Sequence, residues 1–334
     1  MDVAAAMALA IAASEQVRGT TSPNPPVGAA ILDPHGEVAG IGATSPPGGP
    51  HAEINALTEA GDKARGGIAV VTLEPCAHYG RTPPCVDALL AAGVAEVHFA
   101  VADPNPQAAG GADRLRTAGV DVRAGLLADQ VATGPLRAWL HYARTGRPHV
   151  TWKYAMTMDG RVAAADGTSR WISGAQSRAE VHELRRRVDA IMVGRGTVLA
   201  DNPRLTARGL EAFRQPLRVV VGTGDLPHDA HVLDDSAPTV HLRTRDPAEV
   251  LTSLAQRHAV DVLLEGGPRL AGAFLAAGLV DRILAYVAPT LLGAGPVALA
   301  DAGVATITDA HQYVVEQVTM SGPDVRVSAV RKPD

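Results

Sequence analysis

Hydrophobic and polar positions along this chain follow two periods, one helical and one extended, in alternating blocks. Val3 to Ala13 is apolar behind Asp2 and reads as an amphipathic first helix. The stretch HAEINALTEAG repeats apolar residues at helical spacing behind Pro50, whereas GIAVVTLEP and AEVHFAVAD are short runs of strand formers. A strand pair is expected around Val27 to Ile41, and DRLRTAGVDVRAG reads as a helix followed by a short strand. Gln130 to Gly146 has a helical pattern that stops at Gly146-Arg147-Pro148, a natural domain junction. Beyond it, HVTWKYAMTMDG alternates as a strand and SRAEVHELRRRVDA is a helix with a basic stripe. IMVGRGTVLADNPRLTAR runs from a strand into a glycine turn, and VDVLLEGGPRLAGAFLAAGLVDRILAYVAPTLLG gives strand, double-glycine turn, helix and strand. Strands alternating with helices on both sides of the junction predict two α/β domains, residues 1–146 and 147–334.

Composition narrows the class. With 334 residues the chain is long enough for two cores, and 46% hydrophobic content with only 3% aromatics means cores of Ala, Val and Leu. A net charge of -5 gives no electrostatic footprint for nucleic acid or an anionic membrane. No stretch reaches membrane-spanning length, and the apolar start lacks the basic residues of a signal peptide before Arg18. A soluble cytoplasmic protein without nucleic-acid or membrane partners is expected.

The only two cysteines fall in one short region, and this concentrates the chemistry. The chain reads His51-Ala52-Glu53 and, after a strand, TLEPCAHYGRTPPC, with Cys76 and Cys85. Hydrolytic deamination needs a water far more nucleophilic than bulk water at neutral pH. Zinc lowers the pKa of water from about 15.7 to about 7, roughly 12 kcal/mol, when three protein ligands leave a fourth position open. His51, Cys76 and Cys85 supply three ligands, and Glu53 stands where it can carry the proton without binding metal. Both ligand segments read as strand-to-helix turns, whose positive helix ends favour thiolates. The eight-residue gap between the cysteines departs from the usual Pro-Cys-x-x-Cys of deaminases.

In the second half, period-two geometry places Lys153, Ala155, Thr157 and Asp159 on one strand face, away from Trp152, Tyr154, Met156 and Met158. The first face is expected to line a cleft, and Lys153 is one of only three lysines in an arginine-rich chain. Gly194-x-Gly196 fails as a Rossmann fingerprint because its third glycine position is Leu199. Gly266-Gly267, ending a strand and opening a helix, is the better nucleotide-phosphate candidate.

These segments together resemble the bifunctional riboflavin-biosynthesis (RibD/RibG) enzymes, which fuse a pyrimidine deaminase to an aminouracil reductase. TSPNPPVGA, HAE, TLEPCAHYGRTPPC and DPNP match in the first half. KYAMTMDGRVA, SRWISG, VGRGTVLADNPRLTAR, EGGPRLAGAFL and YVAPTLLG match in the second, in family order over nearly the whole chain. The cysteine spacing that is unusual for a generic deaminase is this family's own. The resemblance implies a cytidine-deaminase-like α/β/α sandwich followed by a dihydrofolate-reductase-like α/β domain, with zinc and NADPH as cofactors. It implies deamination of 2,5-diamino-6-(5-phosphoribosylamino)pyrimidin-4-one, then NADPH-dependent reduction of the ribosyl chain to ribityl. By the same resemblance, Asn24 and His78 contact the pyrimidine, Arg81 meets the phosphate and Glu53 shuttles protons. Lys153 and Asp201 contact the reacting sugar, Arg185 and Arg208 hold its phosphate, and Glu265 touches substrate. Ala155, Trp171, Thr197, Asp201, Thr223 and the Gly267 turn contact NADPH, while Ser169 and Leu205 line the substrate pocket. A homo-oligomer is the expected assembly.

Three features depart from the family pattern, one of them the stretch DPNPQAAGGADRL, which is one residue short of the usual glycine pattern. Thr44 stands where a substrate-contacting His is expected, and Gly222 where an Asp is common, beside Thr223. The alternatives are an enzyme retaining only the reductase, or a zinc-stabilised nucleotide-binding protein without turnover. An intact Glu53 and an open fourth metal position argue against the second.

Overall fold

The computed structural model describes residues 1–79, 83–106, 108–209 and 214–332. The chain divides into two compact units, Met1–Gly146 and Arg147–Asp334. No helix among the described residues is long and apolar enough to cross a membrane.

The first unit begins with α1 (Val3–Gln16), capped by the Asp2 carboxylate, which accepts from the Ala5 N–H at 2.7 Å. The hairpin β1 (Gly28–Leu32) and β2 (Val38–Ala43) follows, then α2 (Ala52–Ala60), β3 (Ile68–Leu73) and α3 (Cys85–Ala92). The remaining elements are β4 (Glu96–Val101), α4 (Gly111–Thr117), β5 (Asp121–Ala124), α5 (Ala128–Thr133) and α6 (Arg137–Thr145). The helical pattern from Gln130 to Gly146 is thus two helices, broken at Gly134. The sheet order is β2-β1-β3-β4-β5, with β1 antiparallel to both neighbours and β3, β4 and β5 parallel. Every residue of β1 is buried, so this strand forms the unit's centre. A Cβ on Gly42 would lie 2.3 Å from the Ala52 carbonyl. Only glycine lets the first turn of α2 pack this close to β2, and that turn carries the His51 and Glu53 positions.

The second unit runs β6 (His149–Thr157), α7 (Ala175–Arg187), β7 (Ala190–Gly194), α8 (Arg195–Asp201), β8 (Leu217–Val221), β9 (Thr239–Leu242) and α9 (Pro247–Ala255). It continues with β10 (Asp261–Leu264), α10 (Pro268–Ala276), β11 (Arg282–Ala288), β12 (Tyr313–Ser321) and β13 (Asp324–Arg331). Its sheet order is β12-β13-β11-β6-β10-β7-β8-β9. The six strands from β11 to β9 are parallel, and β13 and β12 add an antiparallel edge. Both faces of the parallel part are covered. Ala190, Met192, Val219, Val262 and Leu264 enter one core, and the alternate residues Ile191, Val193, Val220 and Leu263 enter another. Each of the Val, Leu, Ile and Met side chains among them contributes about 1.5–3 kcal/mol on burial. Helix α8 begins directly at Arg195, where the sequence pattern suggested an open glycine turn.

Candidate active sites

In the first unit the three metal-ligand candidates come from three separate elements. His51 is the N-cap residue of α2, Cys85 opens α3 behind Pro84, and Cys76 lies in the segment after β3. The helix expected after the second ligand turn therefore starts at Cys85 rather than at Cys76. His51 Nδ1 lies 3.2 Å from Cys85 Sγ and 3.7 Å from Cys76 Sγ, and the three donor atoms fall within 4.8 Å of one another. A tetrahedral zinc with Zn–S of about 2.3 Å and Zn–N of about 2.05 Å requires N···S edges of about 3.6 Å. The donor set fits zinc in both chemistry and spacing.

The thiols are electrostatically linked. A hydrogen bond from Cys85, helped by His51 and the Cys85 N–H at 3.3 Å, draws the Cys76 thiol well below its ordinary value. The bond to Cys76 and then burial hold the proton on Cys85. The Cys76 sulfur in turn raises His51. Glu53 is buried, 4% exposed, and burial followed by the nearby Cys76 charge raises its pKa. A carboxyl group inclined to hold a proton beside the three donors is suited to acid–base work.

Sequence reasoning gave Glu74 no role, yet it fixes this site. Its buried carboxylate accepts backbone N–H groups from Asp103 at 3.3 Å, Gly110 at 3.2 Å and Ala112 at 3.0 Å. These bonds tie the end of β3, two residues before Cys76, to the segment entering α4. A Cβ on Gly111 would lie 1.8 Å from the Pro75 carbonyl, so backbone meets backbone there. The only signal in sequence was a lone Glu between an apolar strand and Pro-Cys.

Among the pyrimidine-contact candidates, Asn24 is half-buried and His78 is exposed. Arg81 lies outside the described residues. Thr44 is 3% exposed, and its hydroxyl oxygen accepts the Val27 N–H at 3.1 Å. That position serves the backbone just before β1.

In the second unit the candidates gather at the carboxyl ends of the parallel strands, where open α/β sheets bind ligands. Lys153 is half-buried on β6, its Nζ 5.7 Å from the Tyr286 ring centre, and burial lowers its pKa. Glu265 follows β10 and receives Arg185 bidentately, Nε to Oε1 at 2.7 Å and Nη2 to Oε2 at 2.9 Å. Burial pushes Glu265 up, but the Arg185 guanidinium wins and holds it at about 2. The proposed phosphate holder is thus already engaged with a carboxylate. Its Nη1 also donates to the Thr206 carbonyl at 3.3 Å.

Arg208 is exposed on the same loop. Its pKa is lowered by partial burial and by Arg185 and Arg204, so three guanidiniums converge. The Arg208 N–H donates to His182 Nδ1 at 3.3 Å. His182, one turn before Arg185, is held low by burial and both arginines, and sequence reasoning missed it. Leu205 is buried with φ of 53°. Ser169 is half-buried, and Asp201, the last residue of α8, is exposed, its carbonyl accepting Arg170 Nη2 at 2.8 Å.

Of the cofactor candidates, the structure brings Gly267 and Thr197 into contact. Gly267 is the N-cap of α10 and donates its N–H to Thr197 Oγ1 at 3.2 Å. A Cβ on Gly196, the second residue of α8, would meet nothing within 4 Å, so this side of the helix start is open. This open cradle fits a dinucleotide phosphate. Trp171 is 68% exposed, with the Arg178 guanidinium 4.6 Å from its ring centre. Ala155 is half-buried on β6, and Thr223 is exposed after β8.

Comparison with known proteins follows the same division. The model for the RibD C-terminal domain matches residues 148–322, and that for the cytidine and deoxycytidylate deaminase zinc-binding region matches residues 2–101. The riboflavin biosynthesis protein RibD of Mycobacterium tuberculosis (strain ATCC 25618 / H37Rv) is 58% identical, covering 98% of this chain and 97% of its own. The solved RibD of Acinetobacter baumannii superposes with a TM-score of 0.89 at 36% identity, covering 99% of both chains. A diaminohydroxyphosphoribosylaminopyrimidine deaminase/5-amino-6-(5-phosphoribosylamino)uracil reductase from Thermotoga maritima gives 0.90 at 31% identity over 99% of both.

Proposed function

The chain belongs to the RibD family of bifunctional riboflavin-biosynthesis enzymes, and on that premise we propose how its residues divide the work between a zinc-dependent deaminase and an NADPH-dependent reductase. Residues 1–146 form the deaminase in this reading and residues 147–334 the reductase. The deaminase acts on 2,5-diamino-6-(5-phosphoribosylamino)pyrimidin-4-one, and the reductase converts the resulting ribosyl chain to ribityl. The observation that carries the reading is the three-donor cluster with the buried Glu53 beside it and, among the described residues, no fourth protein donor in the group.

His51, Cys76 and Cys85 would hold the zinc, which would supply activation of water near neutral pH. Glu53 accepts a proton at a carboxylate oxygen and returns it to the departing ammonia. Asn24 and His78 orient the pyrimidine, and Arg81 meets its phosphate. NADPH supplies the hydride for the second step. Lys153 holds the reacting sugar oxygen at Nζ and delivers a proton, its lowered pKa easing release. Asp201 orients the sugar, Arg208 with Arg185 attracts the phosphate, and Glu265 keeps the Arg185 fork fixed. Ser169 and Leu205 line the substrate side, while Ala155, Trp171, Thr197, Thr223 and Gly267 line the cofactor side.

We include a homo-oligomer in the proposal, supported by the exposed Val314, Val315, Val318 and Met320 of edge strand β12. A cytoplasmic location accords with two free cysteines. The test measures ammonia and NADPH consumption in the same samples, with and without a zinc chelator. Ammonia release lost with zinc, while reduction of pre-deaminated substrate persists, supports the division. Reductase loss with zinc, or ammonia release from the metal-free protein, refutes it.

A further inference from the structure

We propose that Arg195 and Arg243 bind the 2′-phosphate of NADPH and thereby set the reductase's preference for NADPH over NADH. The inference rests on the cofactor-site reading above and extends it to a part of the ligand that reading leaves unheld.

Position comes first. Across the sheet the order β6-β10-β7-β8-β9 brings successive carboxyl ends into line. These ends carry, in turn, the Lys153 strand, the Gly267 cradle, Arg195, the Gly222-to-Asp225 turn and Arg243. Neighbouring strands lie about 4.8 Å apart, so the step from the β10–β7 boundary to the β8–β9 boundary is on the order of 10 Å. A dinucleotide with its phosphates at Gly267 and its nicotinamide toward Lys153 extends its adenosine ribose in that direction.

The chemistry there suits a phosphate. Arg195 Nε donates to the Asp225 carbonyl at 2.8 Å, and among the described residues its two terminal nitrogens find no acceptor. Arg243 donates to the Thr223 carbonyl at 3.4 Å and to Asp225 Oδ1 at 2.5 Å. His241 Nε2 donates to the Gly222 carbonyl at 2.7 Å and fixes the turn between them. The Arg243 guanidinium pairs with the Asp225 carboxylate while Arg195 meets the main-chain carbonyl of the same residue, and the Asp225 side chain is 87% exposed. An ion pair this exposed holds weakly, so an incoming phosphate displaces it at little cost. Guanidinium forks match phosphate oxygens bidentately.

Gly222 fits the same arrangement. Its φ is +145°, and a Cβ there would lie 3.0 Å from the Arg195 Cβ. Glycine at this position therefore makes room for the Arg195 stem.

The experiment titrates the full-length protein with NADPH, NADH, 2′,5′-ADP and 5′-AMP by calorimetry, comparing wild type with Arg195→Gln, Arg195→Lys and Arg243→Gln. Wild type should prefer 2′,5′-ADP to 5′-AMP. Each Gln variant should lower the NADPH-to-NADH affinity ratio by about 10- to 100-fold, the weight of one hydrogen bond to a charged group, with Lys restoring part. Equal losses for phosphorylated and unphosphorylated nucleotides would mean that the arginines only clamp the turn, overturning the inference. An unchanged ratio in both Gln variants would overturn it as well. A wild-type protein that binds no NADPH refutes the cofactor-site reading and the inference with it.

Discussion

Replacing Arg185 with Met would strand Glu265, removing the two short bonds of 2.7 and 2.9 Å between side chains that are only 13% and 11% exposed. Breaking a buried pair on one side costs about 3–5 kcal/mol. The carboxyl itself gives a similar figure, because its displacement from 4.5 to about 2 corresponds to about 3 kcal/mol. In a unit spanning residues 147–334, that loss lowers the calorimetric Tm by about 6–20 °C. The pH dependence distinguishes this cause from simple loss of packing. In wild type the folded pKa of Glu265 lies below 4.5, so its contribution is complete above that pH and is lost as pH falls through about 2. In Arg185→Met, burial outweighs the remaining attraction of Lys153 and the folded pKa rises. The variant should then regain stability relative to wild type as pH is lowered from 7 toward 4.5. Scanning calorimetry of both proteins at several pH values measures this. A loss below about 1 kcal/mol, or a deficit that does not change with pH, would show that solvent screens the pair and would refute the reasoning.

Glu53→Gln should retain stoichiometric zinc yet lose about 10²- to 10⁴-fold in ammonia release, with reduction of pre-deaminated substrate unchanged; full deamination would end the proton-carrier assignment. Arg218 is fully buried, with Nε on Thr239 Oγ1 at 2.8 Å, Nη1 on Asp234 Oδ1 at 2.8 Å and Nη2 on the Asp234 and Ala237 carbonyls. Arg218→Met should destabilise the second unit by about 3 kcal/mol or more in denaturant unfolding. Because Arg218 Nη1 also reaches the Arg204 carbonyl at 3.4 Å, the KM for the phosphorylated substrate should rise in the same variant.

What sequence made legible was chemistry whose partners are constrained by type. His51, Cys76 and Cys85 stand out because few arrangements of His and Cys suit anything but a metal, and the structure brings their donor atoms together. Lys153 was visible because a charged residue on an alternating strand must face a cleft or solvent, and the structure places it midway along β6, within reach of the charge of Glu265. Glu74 was not, since its three amide partners lie 29 to 38 residues away and amides carry no sequence identity. The Arg185–Glu265 pairing spans 80 residues, and nothing local distinguishes it from the arginine stripe on α7. The break between α5 and α6 at Gly134, inside a continuous apolar rhythm, and the antiparallel edge of β12 and β13 also lay beyond local pattern.

The contact between Gly111 and the Pro75 carbonyl leaves no compressible group between α4 and the strand end that delivers Cys76. A side chain can yield by rotating, but two main chains in touch can only translate. In a saturation scan scored on zinc content, position 111 would therefore cluster with the sulfur and imidazole donors, although it offers the metal nothing. Inferring the metal's ligands from such a map alone would count one too many.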